Sequence, residues 1–150
     1  MSRPVYFITT NIQQRRPILA CQAAADILIA EWREAQRRHG WAIGRYVIMP
    51  DHVHFFCALL PVEPQQPSKP LADMLQAWKQ WTAKRLARQL LIPAPIWQEE
   101  FFDHVLRSDE SYAKKWTYVR ANPVRQGLVT HADDWPWQGS IDFDAPLQTA

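Results

Sequence analysis

Residues 41–60, WAIGRYVIMPDHVHFFCALL, hold the chain to a β-hairpin. Residues 41–49 and 52–60 are each rich in β-branched and aromatic side chains, and Pro50-Asp51 between them is a turn signal. Strands joined so closely pair antiparallel. Around the hairpin, VYFITT (5–10) predicts a first strand, and residues 21–39 carry Ala24, Leu28, Trp32 and Ala35 at helical spacing, with Gly40 placed to end that helix. After a Pro-rich loop, Ser68 is the expected cap of a helix over 71–90, whose apolar stripe is Leu71, Leu75, Trp78 and Leu86 with Met74 alongside. Phe102 and Val105 suggest a fourth strand, and Ser108-Asp109-Glu110 starts a last helix running to Asn122-Pro123. The order β-α-β-β-α-β-α implies an α+β, ferredoxin-like (RRM-like) antiparallel sheet. Two helices should share one face, and an additional C-terminal helix carries Tyr118. The expected single domain spans 1–140, with a tail at 141–150.

Within the hairpin's second strand, His52 and His54 stand two apart, so both imidazoles project from one face with Val53 turned away. That geometry suits two ligands of one metal ion, because neutral imidazole is the commonest protein ligand for metals. It also suits two histidines bonded locally at a strand end. Phe56, Ala58 and Leu60 share the face and need cover, and the last helix is the available element. On that helix Tyr118 and Asn122, four apart, lie on one side, while Tyr112 points away and reads as core. Asp51 either orients a histidine or serves only the turn. His104 reads as structural or DNA-contacting, not as a metal ligand.

Composition narrows the classes. No apolar run approaches the ~20 residues needed to span a bilayer, so no membrane association is expected. Cys21 and Cys57 form no C-x-x-C, which excludes a zinc ribbon and makes a reducing cytoplasm the expected location. A net charge of +2 allows a nucleic-acid partner without requiring one.

The stretches YVIMPDHVHFF, LADMLQAWKQWTAKRLAR, FFDHVLRSDESY and YVRANPVRQGLV occur in an order that resembles the IS200-like single-tyrosine HUH transposases. NPVRQGLV and the short chain resemble their branch of REP-associated tyrosine transposases. The resemblance runs from about Tyr6 to Trp137. It implies that His52 and His54 hold a divalent metal, Mg²⁺ or Mn²⁺, with Asn122 completing the site, and that Tyr118 is the nucleophile. It further implies cleavage of single-stranded DNA at or near a hairpin through a 5′-phosphotyrosine. Lys79, Lys84, Arg85, Arg88, Arg107 and Arg125 then become a candidate phosphate track. Self-association, as monomer or dimer, stays open. The alternatives are a non-catalytic single-stranded nucleic-acid-binding module on the same fold, and a metalloprotein unrelated to nucleic acid.

Overall fold

The computed structural model describes residues 3–148. Its elements follow the predicted order: β1 (Val5–Asn11), α1 (Gln22–His39), β2 (Trp41–Ile48), β3 (His52–Leu59), α2 (Leu71–Leu90), β4 (Phe102–Leu106) and α3 (Asp109–Arg120). A short turn of helix, α4 (Asn122–Arg125), and a last strand, β5 (Gln138–Ser140), complete the chain. The five strands form one antiparallel sheet in the order β4-β1-β3-β2-β5. The first four in that list are the ferredoxin-like arrangement expected from the sequence, with the third strand at the centre. None of the described helices is long and apolar enough to cross a membrane.

Local chemistry sets the boundaries. Gly40 ends α1 in the left-handed conformation (φ +79°), its N–H donating to the Gln36 carbonyl. A Cβ there would also lie 2.9 Å from that of Ser68, so the site has no room for a side chain. That packing is what Ser68 does. It does not cap α2, which begins after Pro70 with no side-chain cap. Ser108 does cap α3, accepting from Ser111 N–H at 3.0 Å, while the Ser111 hydroxyl satisfies the Ser108 N–H. The last helix stops earlier than the sequence suggests. It breaks at Ala121, because Pro123 has no N–H to donate to the Val119 carbonyl, which the Ala121 N–H takes instead.

The sheet divides the interior in two. On one face α1 and α2 bury a cluster that includes Ile8, Leu28, Trp32, Val53, Phe55, Leu75 and Trp78. Trp32 and Trp78 stack there with centroids 5.4 Å apart. On the other face α3 covers Phe56 with Tyr112, and Val47 and Met49 with Val119. β3 separates the two by strict alternation, and Leu60 falls just beyond its end. β5 was not foreseen. It pairs with the outer edge of β2, and residue 143, in the stretch expected as a tail, sets its ring against Gly44.

Candidate active site

β3 alternation brings His52 and His54 onto the α3 face, near the sheet end where β3 begins. Their Nε2 atoms lie 3.1 Å apart with the rings nearly perpendicular. α4 delivers the third group: Asn122 Nδ2 lies 3.3 Å from His52 Nε2 and 3.2 Å from His54 Nε2. The kink at Ala121 turns Asn122 inward, where it is buried. Tyr118 stays 63% exposed on α3 and lines the same cleft of about 330 Å³.

The far nitrogens of both rings are held. His52 Nδ1–H donates to Asp51 Oδ1 at 2.7 Å, and Arg15 Nε donates to the other carboxylate oxygen at 3.0 Å. His54 Nδ1 lies 2.8 Å from the Thr9 hydroxyl, which β1 places directly opposite it in the sheet. Asp51 therefore orients a histidine as well as making the turn. Burial works to raise its carboxyl, but the hydrogen bonds and charges of His52 and Arg15 together hold it below the usual range. Burial lowers His52, with Arg15 adding to the effect and Asp51 opposing it. His54 falls to about 3, mainly through burial and then through the charges of His52, Arg125, Lys115 and Arg15. Both imidazoles are neutral at pH 7, the form that ligates metals.

The donor set fits one small cation. Neighbouring ligands about 2.1 Å from an octahedral metal are about 3.0 Å apart, close to the separations seen. With Thr9 accepting from His54 Nδ1–H and Asp51 from His52 Nδ1–H, the two Nε2 atoms, 3.1 Å apart, are both left unprotonated. Rotating the Asn122 amide by a half-turn adds its oxygen, since the two amide orientations are interchangeable by hydrogen-bond assignment. Among the described residues no cluster of three His, Cys, Asp or Glu forms, and the polar group that meets both imidazoles is the Asn122 amide. His104 sits on β4, two strands from β3, and does not join the set.

The predicted basic residues separate. Lys84, Arg85 and Arg88 lie on α2, which packs on the opposite face of the sheet. Lys84 Nζ lies 5.5 Å from the Trp81 ring, and Arg85 pairs with Glu31 at 3.4 Å. Lys79, on α2, is turned into the loop before β4, donating to the carbonyls of Gln98, Glu99 and Glu100 at 2.7–3.1 Å. It lines a larger cleft of about 630 Å³ that shares no residue with the imidazole site. Arg107 is exposed just past β4. Arg125 alone of the six lines the site, its guanidinium 3.8 Å over the Tyr118 ring and bonded to the Tyr118 carbonyl at 2.6 Å. Two cations there were not foreseen, Arg15 and Lys115. Lys115 was legible in principle, three residues before Tyr118 on the same helical stripe. Arg15 was not, because it enters from a short turn in which Gln14 (φ 59°) and Arg15 (φ 52°) are both left-handed without being glycine.

No family profile matches the chain. Its curated relatives include a REP-associated tyrosine transposase of Escherichia coli, 26% identical over 132 residues covering 88% of this chain and 73% of the relative. A putative REP-associated tyrosine transposase of Haemophilus influenzae is 26% identical over 142 residues, covering 89% and 77%. The chain is thus similar in sequence to REP-associated tyrosine transposases over nearly nine-tenths of its length. Among solved structures, a REP-associated tyrosine transposase bound to a REP hairpin superposes with a TM-score of 0.70 at 22% identity, over 92% of this chain and 77% of that one. A putative transposase of Deinococcus radiodurans gives 0.55 at 21% identity, over 77% and 87%. At those identities the structural neighbours establish the shared fold.

Proposed function

We propose that this transposase relative is a divalent-metal-dependent endonuclease and strand transferase. It acts on single-stranded DNA at hairpins through a 5′-phosphotyrosine on Tyr118. The observation that carries the reading is the convergence of His52 Nε2, His54 Nε2 and the Asn122 amide within 3.1–3.3 Å, in a cleft that Tyr118 also lines. The names of the curated relatives, and the REP hairpin bound by one structural neighbour, support DNA as the substrate.

The residues divide the work. His52, His54 and the Asn122 oxygen would hold the ion, and Asp51 and Thr9 keep the imidazole lone pairs aimed. Bound Mg²⁺ or Mn²⁺ supplies Lewis-acid neutralisation of a non-bridging phosphate oxygen. The phenol of Tyr118 loses its proton to water as its oxygen attacks phosphorus. The bond to the 3′-oxygen breaks, and that oxygen leaves as a free 3′-hydroxyl after taking up a proton. Arg125 over the ring stabilises the developing phenolate. The phosphotyrosine conserves the energy of the broken bond, so a 3′-hydroxyl of another strand can reverse the step and join DNA without a nucleotide cofactor. Hairpin oligonucleotides incubated with the protein and Mn²⁺ should yield a protein–DNA adduct that survives denaturation. Its absence across hairpins with varied flanks, or an undiminished yield in EDTA, counts against the reading.

A further inference from the structure

The face that carries the imidazole pair continues past it toward the sheet edge. Antiparallel register aligns His54 with Thr9 and Thr9 with Phe102, and in the next row Phe56 with Phe7 and Phe7 with His104. Cross-strand partners project to the same side, so Phe102 and His104 look out on the same side as His54. Leu106 confirms the parity, packing with Phe56 and Tyr112 on the α3 side, while Phe101, just before β4, packs toward the α1–α2 cluster. Strand spacing puts Phe102 about 10 Å from His54. α3 covers Phe56 and Leu106 but leaves Phe102 59% exposed and His104 exposed. Among the described residues no aromatic ring stacks on either of them. Phe7, between them and the site, is already occupied, stacked on His54 at 5.3 Å with Lys115 Nζ 5.0 Å from its ring.

We infer that Phe102 and His104 form a stacking platform for an unpaired base of the DNA strand that flanks the phosphate held at His52 and His54. This inference rests on the nuclease reading of that site. The surroundings select the occupant. The cleft beside the platform is rimmed by Arg15, Lys115 and Arg125, and the nearby Asp51 carboxylate is already paired with Arg15 and His52. Such a surface suits a polyanion that also carries flat apolar faces. Every base offers one, so stacking of this kind tolerates sequence. A base inside a duplex has both faces covered, which leaves the single-stranded flank as the part that fits.

The test uses the full chain and a DNA hairpin with single-stranded extensions, with 2-aminopurine at one extension position at a time. EDTA is included so that nothing is cut. Binding should quench the probe at one position. Phe102→Ala should relieve that quench and weaken binding of the extended hairpin about tenfold, within the range for one base on one aromatic ring. Phe102→Trp should keep both quench and affinity, and a hairpin without extensions should bind wild type and Phe102→Ala alike. Equal affinity of wild type and Phe102→Ala for the extended DNA overturns the platform. So does a wild-type dimer that Phe102→Ala disperses, which would assign the ring to a second copy of the chain. Adduct formation with Mn²⁺ on the same DNA reads the nuclease chemistry separately. Adduct without any quench removes the platform alone, whereas quench without adduct supports the platform and counts against the chemistry.

Discussion

The two faces of the sheet are made by the same strands and do opposite things. Along β3, Val53, Phe55 and Cys57 go down into the aromatic cluster under α1 and α2, while His52, His54 and Phe56 go up toward α3. The lower face is closed by two long helices over a buried aromatic cluster. The upper face is closed by one shorter helix that leaves a cleft at the histidine end. A strand period of two is enough to place a site on a core strand without disturbing the core. The contrast extends to charge. The cations of α2 were the attractive choice in the sequence because they cluster, yet α2 spends its apolar side on the lower face. Its basic side therefore points away from the imidazoles. The charges that reach the cleft come singly from the turn after β1, from α3 and from α4.

The largest expected effect separates two tyrosines of one helix. Tyr112 is 4% exposed against Phe56, with centroids 4.9 Å apart, whereas Tyr118 is 63% exposed in the cleft. Tyr118→Phe removes one oxygen and should abolish the covalent adduct while leaving hairpin binding and thermal stability in place. Tyr112→Phe should keep its adduct. Mapping labelled DNA to Tyr112 would break the assignment even if the family relationship stands.

Next comes a pair of neighbours on β3. Phe55→Ala opens a void against the stacked rings of Trp32 and Trp78 and should cost about 3–5 kcal/mol of stability. His54→Ala, one residue away on the other face, should change stability by only about 1 kcal/mol, the scale of its lost hydrogen bond. It should nevertheless eliminate Mn²⁺-dependent cleavage. Denaturant melts and adduct yields on both variants test the division, and a core-sized loss in His54→Ala would erase it.

Titration gives a smaller effect on the upper face. His54 is lowered to about 3 in the fold, against about 6.5 in an unfolded chain. Between those values the unfolded state binds the extra proton, so this group's contribution is complete above pH 6.5 and declines as pH falls toward 3. In metal-free buffer about 1–2 kcal/mol should be lost between pH 6.5 and 5. His54→Gln should flatten that part of the profile. A variant that tracks wild type over this range would show that His54 is not held neutral by its burial.

These contrasts also explain what could be read without a structure. The ferredoxin-like order was legible because each element carries its own signal: β-branched runs for β1 to β3, a glycine stop at Gly40, and the Ser108 cap for α3. β5 was not, since Gln138–Ser140 has no apolar pattern and forms only because the edge of β2 is free to pair. In the site, His52, His54, Tyr118 and Asn122 come together because two short-range periods, of strand and helix, happen to converge. Charges carry no such period. Which face a basic residue serves depends on which side of its helix is buried, and Arg15 depends on a left-handed turn that no residue type announces.

The smallest expected effect is the salt dependence, and it bears most directly on the two faces. Each phosphate neutralised by a protein cation on single-stranded DNA contributes about 0.7 to the slope of log affinity against log salt. If the upper face holds the strand, Lys115→Ala with Arg125→Ala should reduce the slope by about 1.4. Lys84→Ala with Arg88→Ala removes the same formal charge from the lower side. Those two residues lie beyond the sheet from the cleft, and at moderate salt a screening length of about 8–10 Å leaves them little influence at that range. Their slope should match wild type. Hairpin titrations from low to moderate salt, on three proteins of comparable stability, give the answer. Equal flattening by the two pairs would mean that DNA wraps both sides of the sheet. Flattening by the α2 pair alone would move the phosphate track back to the helix whose sequence first suggested it.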